Sequence, residues 1–567
     1  MDTLAKHVEP RSKFEFQHNF RMAAFPGHAQ QSSRILSEFL TPDADLSALA
    51  GLSKYLLPCK YIRIESVLLE QNLRDMERSR ETYWLRYPAT SPIKLRWRAL
   101  TVRHSFHVLP GESILELGAG SGLWTEHLSD VLRGQNPITG AVFNRDFLPA
   151  SNRENVQFAH VEDLERDLPP ASFDYIVGTA ILCHNGYEHN LRAIYRLLKP
   201  GGQLLFFEAN YWNPQVALKN ALPWLRKKMG NASCQIGLRK YKLMRMASRQ
   251  GFTEIDVIPY DIIHPRVPRS LVDGLQSVAF VAEHAPIFRE ICGTLYIRAK
   301  KPGGPATRSF VNLAVHSQLY RSVSFVIPCH NEEMNIPRLV ENIKGFYGPY
   351  IHEILLVNDN STDHTSEVSE QIAKRDPTVR LLNRQPPNGV GRALREGYAA
   401  ASGKYILTMD CDFVEILPEF RDLFSAVAEG YEGAIGSRFS HESLLINYPF
   451  FKILCNRGFH FLANLLLPLR VRDISNNLKL YRADILKGIE IEEDHFAANV
   501  ETGLKPLLAG YNIKEVPISW INRTIDMGAS SFRIVAVAPN YSRSLVRILS
   551  KRNQKRVTRT AQGAAAP

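Results

Sequence analysis

At 567 residues the chain is too long for one hydrophobic core. A composition of 45% hydrophobic and 22% charged residues is that of a globular protein, and it excludes a disordered chain. The net charge of +12 is uneven: after Asp526 there is no acid, while Arg533, Arg543, Arg547, Lys551, Arg552, Lys555, Arg556 and Arg559 follow. Such an end suits an anionic membrane or plain solubility; no stacking motif or recognition helix accompanies it, so nucleic acid is not expected.

In chain order, residues 1–30 are polar, lack the apolar core of a signal peptide and read as poorly ordered. Seven cysteines, scattered and without zinc-site or CxxC spacing, predict reduced thiols in a cytosolic compartment. The first strong element is "ESILELGAGSGLWTEHL", 112–128: an apolar strand, a glycine-rich turn and a helix start. Gly118, Gly120 and Gly122 let backbone approach a ligand at a helix N-terminus. Position 123, where a dinucleotide fingerprint wants a glycine, is Leu. Glu116, two residues ahead of the turn, suits an ammonium-bearing ligand better than a pyrophosphate. "SFDYIVGTAILCH", 172–184, reads as a second buried strand. "LRAIYRLLKPGGQLLFFEAN", 191–210, reads as an amphipathic helix, a Pro-Gly-Gly turn and a third strand. This alternation predicts an open α/β sheet with its ligand at the carboxyl ends of the strands.

On these motifs, in this order, residues from about 90 to 300 resemble class I S-adenosylmethionine-dependent methyltransferases. The resemblance implies a Rossmann-like sheet, cofactor contact by Glu116, Gly118, Gly120 and Gly122, and an acid near the adenine, Glu162 or Asp163. Val142 stands where that family usually has an acid for the ribose hydroxyls, with Asn144 the nearest replacement. His184, at a strand end, reads either as a base for methyl transfer or as a satisfied surface imidazole.

"KKPGGPATRS", 300–309, carries no apolar pattern and reads as a seam. Beyond it the pattern starts again. "SVSFVIPCHNEEMNIPRLVENI", 322–343, "HEILLVNDNSTDHT", 352–365, and "GKYILTMDCDF", 403–413, are strands ending in polar or acidic residues. Acids at strand ends are costly unless they hold a cation or a donor. Asp410-Cys411-Asp412, placed where its strand turns, presents oxygens to a hard divalent ion that bridges phosphates.

With "GSRF", 436–439, "VRDISNNLKLYR", 471–482, and "EVPISWINRTIDMGASSF", 515–532, residues 322–535 resemble family-2 glycosyltransferases of the GT-A fold. The nearer likeness is to dolichyl-phosphate mannose synthases and their polyprenyl-phosphate relatives. It implies nucleotide contact by Glu332 and Asp359, and Mg²⁺ or Mn²⁺ on Asp410 and Asp412. It further implies an acceptor phosphate faced by Arg438, Arg523 and Ser531, with Asp473 near the reacting centre. Asn358 stands where an acid is frequent.

The fold class expected is α/β in two domains, a Rossmann-like methyltransferase sheet followed by a GT-A sheet. The boundaries expected are a poorly ordered 1–30, a methyltransferase domain with a helical N-terminal extension over 31–300, a linker over 301–321, a glycosyltransferase over 322–538 and a basic tail over 539–567. The function expected joins an S-adenosylmethionine-dependent methyltransferase to a glycosyltransferase that takes a nucleotide sugar. Its acceptor is read as a polyprenyl phosphate or, as the rival reading, a glycan or protein; in that rival the first domain is a docking module without turnover. No stretch of eighteen uncharged apolar residues exists. The nearest, 444–469, is interrupted by Lys452, Arg457 and His460, and with the basic tail it predicts peripheral binding to the cytoplasmic membrane face.

Overall fold

The computed structural model describes residues 58–151, 153–184, 187–229, 231–303, 316–413, 417–440, 442–446, 448–521 and 539–551. The first sheet consists of β1 (Ile114–Leu117), β2 (Ile138–Val142), β3 (Val156–His160), β4 (Phe173–Thr179), β5 (Leu198–Ala209), β6 (Thr253–Tyr260) and β7 (Thr294–Lys300). Their order is β3-β2-β1-β4-β5-β7-β6, with β7 antiparallel to both neighbours. Central strand β1 is buried along its whole length, as a parallel strand covered on both faces must be. The Pro-Gly-Gly segment after the helix Tyr187–Leu197 is not a free turn: β5 already begins at Leu198 and runs through it, its pairing with β4 irregular near Phe173.

The second sheet consists of β8 (Val323–Cys329), β9 (Ile351–Asn358), β10 (Val379–Asn383), β11 (Tyr405–Thr408), β12 (Gly433–Ser437), β14 (Lys479–Arg482) and β15 (Ile513–Pro517). They lie in the order β10-β9-β8-β11-β14-β12-β15, parallel except for β14. A short ribbon, β13 (Leu445–Ile446) with β16 (Trp520–Ile521), stands apart. The register aligns Cys329 with Asn358 and Thr408 with Val326. The three strand ends that carry the second set of motifs therefore finish at one edge of the sheet.

Both sheets belong to one compact unit, residues 68–567. The helix Ser91–Phe106 of the first half meets the helix Arg421–Ala428 and the turn before it in the second. Arg103 pairs with Asp422 at 2.6 Å, both side chains about a tenth exposed, and Arg133 reaches the other Asp422 oxygen at 2.6 Å. Glu419 lies 2.9 Å from His104 and 2.8 Å from His107, and accepts from Ser519 N at 3.0 Å and Ser519 Oγ at 2.6 Å. Burial alone would push the Glu419 carboxyl up, but the two imidazoles outweigh it and hold it well below the usual range. Each half thus supplies the counter-groups for buried charges of the other.

Residues 539–551, expected as the start of a basic tail, form a helix. Leu545 and Ile548 sit in the core of the second half because they share a face at i, i+3 spacing. On the same helix, Arg547 pairs with Glu493 at 3.0 Å and Lys551 with Glu492 at 2.9 Å. Two of the expected tail's basic residues are thus partnered within the protein.

Candidate functional site

The converging ends of β8, β9 and β11 open into a cleft of about 430 Å³, lined among others by Glu332, Asp359, Asp410, Asp412 and Arg438. Five residues singled out from sequence therefore share one cavity. Asp410 and Asp412 lie in the turn beyond β11, at the position expected of them. Asn477 Nδ2 donates to Asp410 Oδ1 at 2.7 Å, and Thr408 Oγ1 donates to Asn477 Oδ1 at 3.0 Å, so the strand's own last residue sets the amide that aims the carboxylate. Cys411 turns inward, its Sγ 3.5 Å from that of Cys329, and hydrogen bonding to that thiol with burial raises its pKa, keeping it protonated.

Glu332 Oε2 accepts from Asn335 Nδ2 at 2.6 Å. Asp359 is buried, ion-paired with Arg384, and accepts from Gly389 N at 2.7 Å. Asn358, standing where the resembled family frequently has an acid, donates to Asn383 and accepts from Ser361 N.

Arg438 and Asp473 are one unit. Asp473 is fully buried and accepts from Arg438 Nε at 2.7 Å, Nη2 at 3.0 Å and backbone N at 3.0 Å. Burial would raise the Asp473 carboxyl, but the guanidinium wins and holds it down at about 2. Arg438 also lies over the rings of Trp520 and Phe439, at 5.4 and 5.6 Å. Asp473 sits behind the cleft wall and fixes the arginine that forms it. Arg523 and Ser531, assigned to the same acceptor region from sequence, lie outside the described residues.

One wall is the helix Phe450–Leu466, which contributes Lys452, Asn456, Phe459 and Leu462 to the cleft. Phe451, Leu454, Phe461, Leu462, Leu465 and Leu466 are about half exposed or more, an apolar stripe on its outer side. His460 does not interrupt this segment as a charge. It is fully buried, accepts from Ile474 N at 3.0 Å, and burial pulls its pKa down to about 4. Lys479, also buried, donates to the carbonyls of Asn476 at 2.5 Å and Asn499 at 3.0 Å, and burial lowers its pKa to about 7. Asn477, Lys479 and Tyr541, the last of which lines the cleft, were not assigned roles from sequence; the first two stand inside "SNNLK", whose polar run just before β14 was the available signal.

The glycine turn of the first sheet has Gly118, Gly120 and Gly122 at φ of 68°, 55° and 82°, the left-handed region that glycine adopts without strain. Glu116 is buried, accepts from Thr125 Oγ1 at 2.7 Å, and burial pushes its pKa up to about 7. Asp163 caps the helix Leu164–Asp167, accepting from Glu165 N and Arg166 N, while exposed Glu162 pairs with Arg166. His184 is fully buried beside Asn190 Nδ2 at 2.9 Å, so it is not a surface imidazole. The loop's remaining polar groups are met by the helix Pro58–Arg86. Arg80 donates to Gly118 O and Thr179 O, Glu81 accepts from Ser121 Oγ, and Glu77 accepts from Gly120 N.

Residues 91–255 match the family model of a methyltransferase domain, and residues 324–489 match that of glycosyl transferase family 2. The chain therefore carries a methyltransferase domain followed by a family 2 glycosyltransferase domain. Among its relatives is the dolichol-phosphate mannosyltransferase of Pyrococcus furiosus, 28% identical over 204 residues, 35% of this chain and 56% of that protein. Another is the polyprenol monophosphomannose synthase of Mycolicibacterium smegmatis, 27% identical over 218 residues, 36% of this chain and 80% of that one. The chain thus spans little more than half the length of the first of these. Solved structures include an S-adenosylmethionine-dependent methyltransferase of Thermotoga maritima (17% identical, TM-score 0.29, 41% of this chain and 99% of that one). A second is the glucosyl-3-phosphoglycerate synthase of Mycobacterium tuberculosis (18%, 0.33, 40% and 79%).

Proposed function

We propose that the second domain transfers a sugar from a nucleotide sugar to a polyprenyl phosphate at a membrane surface. The observation that carries the reading is that Leu462 belongs both to the cleft holding the acid pair and Arg438 and to the exposed apolar stripe of the helix Phe450–Leu466. A lipid chain lying along that stripe would bring its phosphate to the cleft. The two relatives named above are, by their names, enzymes that mannosylate such lipids, which supports the same substrate class.

Asp410 and Asp412 supply the hard oxygen donors that a divalent cation prefers. Among the described residues they gain no third His, Cys, Asp or Glu to complete a protein cage. The pair would hold such an ion, which would neutralise charge on the departing nucleoside diphosphate. Asn477 holds Asp410 in that orientation. Arg438 is clamped by Asp473 through Nε and Nη2, which leaves its Nη1 to donate to the acceptor phosphate. The acceptor is already anionic at neutral pH, so its oxygen attacks the anomeric carbon with little need of a base, and positioning carries the rate. No helix among the described residues is long and apolar enough to cross a membrane; the exposed stripe is the surface that would meet one.

The test is to incubate the full chain with polyprenyl phosphate vesicles and a panel of nucleotide sugars, and to identify the lipid product by mass spectrometry. A glycosyl polyprenyl phosphate made by the parent and not by Asp412→Asn supports the reading. Sugar appearing only on glycan or protein overturns it.

A further inference from the structure

We propose that the helix Pro58–Arg86 is an intramolecular occupant of the methyltransferase cofactor cleft, so that the cofactor enters only when the segment around residues 74–81 leaves. In an open α/β sheet the ligand binds where the carboxyl ends of the central strands diverge, here the ends of β1, β2 and β4. The helix engages all three ends through charged side chains. Arg80 donates to Gly118 O after β1 and, at 2.7 Å, to Thr179 O at the end of β4. Glu77, fully buried, accepts from the amides of Gly120 at 3.1 Å, Phe143 at 3.1 Å and Asn144 at 2.6 Å. Glu81 accepts from Ser121 Oγ at 2.6 Å.

These side chains also fill the space that the glycines keep clear. A Cβ built on Gly118 would lie 2.8 Å from an Arg80 nitrogen, and one on Gly120 would strike the Glu81 carboxylate. Asn144, the nearest replacement for an acid at the ribose, donates instead to Arg74 O at 2.8 Å. A lid lies over a ligand; this helix takes the ligand's own hydrogen-bonding groups. S-adenosylmethionine therefore does not fit the loop as it is arranged, although the loop's glycine conformations are those such a ligand needs. Leu73 and Met76 pack into the same core as Leu117 and Phe143, which holds the charged residues in place. Burial raises the Glu77 pKa, with Arg80 the counter-charge 3.9 Å away.

The test is calorimetric titration of the full-length protein with S-adenosylmethionine and S-adenosylhomocysteine, beside the Arg80→Ala/Glu81→Ala variant, with near-ultraviolet circular dichroism to confirm its fold. The expected result is binding at least tenfold tighter in the variant than in the parent. Equal affinity in the two, whether both bind or neither does, overturns the proposal. Should the double variant not fold, hydrogen–deuterium exchange on the parent with saturating S-adenosylhomocysteine decides. Faster exchange over residues 70–86 supports displacement. Unchanged exchange there with new protection at Gly118–Gly122 refutes it, as does no change at either segment.

Discussion

Asp473→Asn isolates the buried pair behind the cleft. The substitution keeps the shape of the side chain and removes its charge, leaving Arg438, about an eighth exposed, without its counter-ion. Removing one partner of a buried, hydrogen-bonded ion pair costs roughly 3–5 kcal/mol. At about 2–4 °C per kcal/mol for a domain of this size, the unfolding transition of the glycosyltransferase half should fall by roughly 6–20 °C. The acid limb provides a second reading. Asp473 is held at about 2 against an ordinary 3.8. A depressed carboxyl contributes stability above its ordinary pKa and loses it as pH falls through the folded value, here about 2 kcal/mol between pH 4 and 2. The variant lacks that contribution and should show a shallower loss across the same window. The assay is thermal unfolding at pH 7 and at steps from 5 to 2. A melting temperature within a degree or two of the parent, with the same acid limb, would show that the pair does not hold Arg438.

Three further outcomes follow from the geometry. Asp412→Asn should lower sugar transfer by at least a hundredfold at limiting Mg²⁺ or Mn²⁺, since it removes a charged oxygen donor; near-normal turnover would rule the metal assignment out. Phe461→Glu/Leu465→Glu should cut sedimentation with anionic liposomes several-fold without lowering the melting temperature, both side chains being about two thirds exposed; unchanged sedimentation would detach the stripe from the membrane. A piece comprising residues 316–567 should be less stable than the same region in the full chain, because Asp422 and Glu419 lose Arg103, Arg133, His104 and His107. Equal denaturant midpoints would show that the interface contributes nothing.

What could be read in advance was what strand ends and glycine turns encode locally. The turn after β1 and the acids beyond β9 and β11 carry their chemistry in adjacent residues, so their order alone placed them. The interface could not be read that way: Arg103, Glu419 and Asp422 look like ordinary surface charges until two sheets bury them against each other. The same holds for Glu77, Arg80 and Glu81, whose i, i+3 and i+4 spacing on a helix reads as a solvated face. The basic residues after Asp526 suggested a free tail by charge, while the apolar pair Leu545 and Ile548 turned the start of that segment into part of the core. His460 and Lys479 are each engaged by backbone groups, partners that no side-chain pattern announces.

The most direct measurement of the central claim is the initial rate of sugar transfer to a polyprenyl phosphate against the matching polyprenol, in the same vesicles with the same nucleotide sugar. An arginine-held phosphate worth roughly 2–4 kcal/mol of transition-state stabilisation predicts about a thirtyfold to thousandfold preference for the phosphate. Equal rates on the two acceptors would contradict the account.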